Sequence, residues 1–272
     1  MGDWTPRELR FSNLGLRLMS SAILIPLGLA AVWSGGWGLA LACAVTAGVM
    51  AWEWGHISGY MQPMGLIAFA ALTCLVLPLG SLAITIAVVA AGLVFAAIGA
   101  KGSWSQRGSA VFGLLYVTLL PASLWLLREG PWDGREAALY FMSFVWASDA
   151  AAYFTGRGLG GPRLLPKESP NKTWSGAIGA VIACIGCGIA AADIEQVPFI
   201  NWIAAGIAIS VVAQAGDLFE SSLKRRFRVK DSGTILPGHG GVMDRVDGLG
   251  AVAFYAMLLF HALPTLPEML GL

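Results

Sequence analysis

Charge is scarce in this chain. Asp, Glu, Lys and Arg make up 12% of its 272 residues, about half the share of an ordinary soluble domain, while 57% are hydrophobic. A soluble fold could not hide that much apolar surface, so hydrocarbon must serve as the main solvent. Histidine is rarer still, with three residues. The four cysteines offer no metal set: Cys43, Cys74, Cys184 and Cys187 all fall in apolar runs, and Cys184-x-x-Cys187 lacks the second pair or the histidines that zinc requires. They read as small packing residues. An excess of one charge sign is missing too, since seventeen basic residues face sixteen acidic ones, and this speaks against a nucleic-acid partner. No repeat of 20–50 residues, no low-complexity linker and no sustained alternation of a sheet is present.

What is present is a series of apolar runs, each near the roughly 20 residues that a spanning helix needs. Nine are read, at 18–33, 37–52, 64–79, 82–99, 110–127, 137–154, 174–192, 200–219 and 248–266. The third and fourth are parted only by Gly80-Ser81, which leaves eight or ten spans open. Arg7, Arg10 and Arg17 before the first run resemble a signal-peptide flank, but with so many spans following, that run reads as a retained helix. The expected fold is all-α, a polytopic transmembrane bundle forming one integral membrane domain over 1–272. Its N-terminal spans occupy 1–136, and the spans and loops that carry chemistry occupy 137–272.

Basic residues are retained on the cytoplasmic side. With a cytoplasmic N-terminus and nine spans, fifteen of the seventeen fall inside, and only Arg128 and Arg135 fall outside. Two polar segments then face the cytoplasm, 155–173 and 217–247. The second begins with Asp217 and interleaves Glu220, Asp231, Asp244 and Asp247 with Lys224, Arg225, Arg226, Arg228, Lys230 and Arg245. Gly233 and the run Pro237-Gly238-His239-Gly240-Gly241 supply backbone able to turn sharply. Mg²⁺ takes oxygen ligands, usually one or two carboxylates with phosphates and water, while Lys and Arg neutralise phosphate. Both signs together suit a nucleotide–Mg²⁺ complex, whereas a solvated basic loop on anionic lipid would account for neither the acids nor the glycines. Asp149 lies inside an apolar run, where an ionisable group needs a polar cavity or a partner such as Arg157. Ser169, Lys172 and Thr173 precede an apolar helix whose N-terminus could hold phosphate, and Thr173 could equally act as a simple cap. His56, beside Glu53 and Trp54, and His261 read as structural.

The run Ser221-x-Leu223-Lys224-Arg225-x₄-Lys230-Asp231-x-Gly233-x₂-Leu236-Pro237-x-His239-Gly240-Gly241-x₂-Asp244-Arg245-x-Asp247 resembles the signature of the phosphatidate cytidylyltransferases, also called CDP-diacylglycerol synthases. The likeness extends to Asp149-x₃-Tyr153-x₂-Gly156 and to Ser169-Pro170-x-Lys172-Thr173-Trp174-x-Gly176. Asn171 and Ser175 depart from the family pattern, which has Lys and Glu there, and the first 130 residues match only as hydrophobic spans. The resemblance implies transfer of CMP from CTP to phosphatidate, with Mg²⁺ required and a second metal ion left open. It implies catalytic roles for Asp217, Lys224, Arg225, Lys230, Asp231, Asp244 and Asp247, with Asp217 and Asp244 as metal ligands. Substrate contacts are expected from Asp149, Ser169, Lys172, Thr173, Ser221, His239, Gly240, Gly241 and Arg245. A homodimer, a bacterial-type inner membrane and a cytoplasmic active site are the further expectations. The competing readings are a polyprenol kinase, a cytidylyltransferase for another lipid phosphate and, from a different class, a transporter using Asp149. A CDP-alcohol phosphotransferase fits less well, because Asp247-Gly248-Leu249-Gly250-Ala251 is followed by Val252 and no later paired aspartates appear.

Overall fold

The computed structural model describes residues 6–60, 62–100, 103–236 and 240–272, with side chains from residue 19 onward. Inside hydrocarbon a backbone must satisfy its own hydrogen bonds, and the apolar runs do so as helices. In order these are α1 (Pro6–Ser34), α2 (Gly36–Ser58), α3 (Pro63–Val76), α4 (Leu82–Gly99), α5 (Trp104–Arg128), α6 (Gly134–Leu159), α7 (Trp174–Glu195), α8 (Phe199–Arg226), α9 (Met243–Ala262) and the short α10 (Thr265–Leu270). Five of them, α2, α4, α5, α7 and α8, are long and apolar enough by themselves to cross a membrane. The fold is therefore a helical membrane bundle.

Local chemistry sets the ends. Helix α2 closes on Gly59, whose φ of 69° is the left-handed conformation glycine adopts without strain. Helix α3 tightens into a 3₁₀ turn at Leu77–Leu79, around Pro78. Ser103 and Gln106 form a capping box on α5.

The structure differs from the hydrophobicity reading at three places. Helix α8 continues through Arg226 instead of ending near 219, so Ser221, Lys224 and Arg225 lie on a helix and not in a loop, on the same helix as Asp217. The last apolar run breaks at Leu263-Pro264, and its remainder forms α10. Between α6 and α7 a small antiparallel hairpin pairs β1 (Arg163–Leu165) with β2 (Ser169–Thr173), where no strand was expected.

The core falls into two clusters. One gathers Leu39, Met50, Trp54, Leu66 and Leu114 from α2, α3 and α5, and the other Phe141, Phe144, Trp202, Ile209 and Phe260 from α6, α8 and α9. Where helices cross, small residues let backbones touch, the usual device of membrane bundles. A Cβ on Gly176 would sit 2.9 Å from the Ala152 carbonyl oxygen, and one on Gly216 would sit 2.9 Å from that of Asp247.

Contacts sort the loops to two ends. At one end, Trp125 Nε1 donates to Gly36 O (2.9 Å), Gly36 N to Glu129 Oε1 (2.8 Å) and Trp202 Nε1 to Leu270 O (2.8 Å), and Tyr140 bonds Glu195. At the other, Glu53 meets the segment before α9, Arg225 Nε reaches Glu168 O (3.2 Å) and Lys172 meets Asp217. Both polar segments singled out in the sequence lie at this second end.

Candidate active site

Asp217, Glu220, Ser221 and Lys224 fall at i, i+3, i+4 and i+7 of α8, which places them on one face. Asp244 and Asp247 stand one turn apart at the start of α9. The two helices touch where Gly216 lacks a side chain, so their acids converge. The Lys224 ammonium bridges them, donating to Glu220 Oε2 at 3.2 Å and to Asp244 Oδ1. Glu220 is fully buried and the Asp244 side chain is 7% exposed, so without that cation two carboxylates would be stranded in a poorly solvated place. Tyr116 on α5 lies within electrostatic reach of Asp217, Glu220, Asp244 and Asp247 together.

The loop between α8 and α9 is fixed from two sides. From α9, Asp244 Oδ2 accepts from Ser232 N (3.1 Å) and Gly241 N (3.0 Å). From α2, fully buried Glu53 accepts from Val242 N (2.7 Å), Met243 N (2.8 Å) and Ser232 Oγ (3.1 Å). The backbone N–H and carbonyl of Gly240 are both bonded to Leu236. Lys230, Asp231 and Arg245 are exposed, and His239 lies outside the described residues.

A third side comes from α6, the hairpin and α7. Lys172 on β2 forms an ion pair with Asp217. Asp149 on α6 interacts electrostatically with Asp217, Lys172 and Arg245, while Arg157 donates to the Tyr153 hydroxyl at 2.7 Å. Thr173 is the N-cap of α7, its Oγ1 accepting from Gly176 N at 3.1 Å. Ser169 pairs with Leu165 in the hairpin. Arg225 ties the hairpin to α8 by donating to Glu168 O (3.2 Å) and Val229 O (2.9 Å). The two positions that depart from the family pattern have local work: Asn171 O accepts from Arg163 Nη1 at 3.3 Å, and Ser175 Oγ donates to the Gly160 carbonyl.

The cytidylyltransferase family matches residues 15–263. Relatives named phosphatidate cytidylyltransferase occur in Brucella abortus biovar 1 (strain 9-941), 40% identical over 96% of this chain and 97% of theirs, and in Brucella suis biovar 1, 41% identical over 94% and 96%. The Pseudomonas aeruginosa protein of the same name is 32% identical over 90% of this chain and 97% of its own. The chain belongs to the cytidylyltransferase family.

In this cytidylyltransferase the sequence reading left two acids without a role. Glu220 was one of five acids in a polar segment and received none, yet among the described residues its Oε1 is buried with no hydrogen-bond partner, and Asp247 acts on its carboxyl electrostatically. Glu53 was passed over as a neighbour of His56. The signal was there, since an acid at the end of an apolar run is subject to the same rule that drew attention to Asp149.

The donor set suits a hard divalent cation. All the acids offer oxygen, they outnumber the lysines among them, and among the described residues one buried carboxylate oxygen has no hydrogen-bond partner. Among the described residues no three Asp, Glu, His or Cys side chains already make a metal shell. Mg²⁺ does not require one, because it ordinarily takes one or two carboxylates and completes its sphere with phosphate oxygens and water.

Proposed function

We propose that this chain is an integral membrane phosphatidate cytidylyltransferase, transferring CMP from CTP to phosphatidate and releasing pyrophosphate. The observation that carries the reading is the convergence of Asp217, Glu220, Asp244 and Asp247 with Lys172 and Lys224 at one end of a membrane bundle, in a chain matched nearly end to end by relatives of that name. Acids alone would repel a nucleotide, and cations alone would not retain its metal.

The nucleophile needs little activation. A phosphate monoester has a second pKa near 6, so the phosphatidate headgroup is largely dianionic at neutral pH and no strong general base is required. One of its oxygens attacks the α-phosphorus of CTP in line; the new P–O bond forms as the bond to the β-phosphate bridging oxygen breaks, and the electron pair leaves with pyrophosphate. The barrier lies in bringing two anions together, which is overcome by positioning and charge neutralisation.

Asp217 and Asp244 would hold Mg²⁺, which supplies positive charge toward the phosphates. Lys172 and Lys224, now on acids, become phosphate partners as anionic substrate enters, joined by Lys230 and Arg245. Arg225 steadies the hairpin against α8 and so positions Lys172. Asp149 orients Lys172 and Arg245, Thr173 fixes the start of α7 beside them, and Ser169, Ser221, Gly240 and Gly241 border the substrate. Asp231 and Asp247 supply further negative charge to the metal side of the site.

The sorting of loops to two ends fits nine crossings in one membrane domain over 1–272, while the basic residues gathered at the site's end support a cytoplasmic N-terminus, and bacterial relatives support an active site at the inner face of a bacterial inner membrane. Lipid acyl chains can then stay in the bilayer while the headgroup meets CTP. The homodimer remains a proposal drawn from the family. The test is purified protein with CTP, Mg²⁺ and a panel of polyprenols and lipid phosphates: pyrophosphate release with phosphatidate and not with the others supports the assignment, and a preference for another lipid overturns it.

A further inference from the structure

The carboxylate of Glu53 sits where a helix N-terminus would otherwise bind an outside anion. The first N–H groups of a helix have no partner within it, and the helix dipole adds positive potential there. At the start of α9 those donors are already taken: Gly241 N by Asp244 (3.0 Å), and Val242 N and Met243 N by Glu53 (2.7 and 2.8 Å). Glu53 comes from the opposite half of the chain, 189 residues before Val242. It also receives the Ser232 hydroxyl, while the Ser232 backbone N–H goes to Asp244. The two carboxylates therefore clasp the same loop from opposite sides. The glycines follow from this arrangement, since a Cβ on Gly233 would lie 2.8 Å from Glu53 Oε1 and one on Gly241 would lie 2.7 Å from it.

We infer that Glu53 is a positioning residue for the cytidylyl transfer, an internal anion that fixes the start of α9 and so sets where Asp244 and Asp247 point. Two glycines of the signature then make room for Glu53 as well as for any substrate. The inference rests on the proposed reaction for its kinetic part only. Glu53→Gln removes the charge and turns one acceptor into a donor facing an N–H group. The expected result is a kcat lower by about 10- to 100-fold, the usual effect of losing a partner that orients metal-binding groups, with the KM for phosphatidate unchanged. Amide exchange measured without substrate should accelerate across 229–246 while α5 and α7 keep their protection. If Glu53→Gln does not fold, Ser232→Ala, which removes one donor at the loop, is expected to give the same local acceleration. Unchanged exchange over 229–246, or a kcat loss accompanied by lost protection throughout the bundle, would overturn the inference. A wild-type protein that makes no CDP-diacylglycerol would overturn the proposed reaction and leave the exchange result standing.

Discussion

Lys224 holds two acids that the rest of the site cannot neutralise. Its ammonium donates to Glu220 and is, among the described residues, one of three donors to Asp244. Removing one partner of a buried ion pair usually costs about 3–5 kcal/mol, because the remaining charge stays desolvated. Lys224→Met is therefore expected to lower the thermal unfolding midpoint in detergent markedly, and Glu220→Gln added to it should restore part of the loss. Asp217→Asn acts on the reaction instead, and Asp244→Asn acts on both, its loss of stability limited because Glu220 stays paired with Lys224. Each should lower kcat by on the order of 10²–10³, the effect of removing one preorganised electrostatic contact, while the protein still inserts and purifies; full turnover in either variant would refute their roles. Residues such as Asp149, Lys172 and Asp217 could be singled out from sequence because a charge beside an apolar run demands a reason. Glu53 meets the same rule, but its role is not legible there, since its donors lie 179–190 residues away and no local pattern points to them.

Helix α7 begins where the hairpin ends, and Thr173 makes the join. Its hydroxyl satisfies Gly176 N (3.1 Å), and a lost cap of this kind costs about 1 kcal/mol. Thr173→Ala should show that loss as a lower midpoint, and Thr173→Ser should recover most of it; equal midpoints for all three would mean the cap contributes nothing. Elements were legible to the degree that hydrophobicity defines them. The apolar runs became helices, but α8 was read as ending near 219 although the helix continues for another seven residues to Arg226. Those residues are polar and helical because Glu220 and Lys224, four apart, pair along the helix and reach across to α9. The hairpin escaped notice for a different reason. Strands of three and five residues are too short for alternation to register, and this one is held by its join to α7 and by Arg225 as much as by its own pairing.

For the whole molecule, charge asymmetry and contact geometry bear on one arrangement. The segments around Gly36, Glu129, Glu195 and Leu270 gather at one end, and the acids and lysines gather at the other. With the N-terminus inside, a cysteine replacing Trp132 should react with an impermeant thiol reagent added to whole cells, while one replacing Lys167 should react only after the membrane is opened. Background should be low, because Cys43, Cys74 and Cys184 are buried and Cys187 is partly so. The opposite pattern would invert the topology. Composition alone indicated a membrane bundle, whereas the pairing of α5 with α9 and of α2 with the loop before α9 depends on long-range packing that no sequence period encodes.

The most direct measurement follows the phosphates of CTP. Purified protein is given phosphatidate, Mg²⁺ and CTP labelled at either the α- or the γ-phosphate. Label from the α position should enter the lipid, and label from the γ position should leave as pyrophosphate in equal amount. Transfer of the γ label to a lipid, or no labelled lipid from either substrate, would contradict the account.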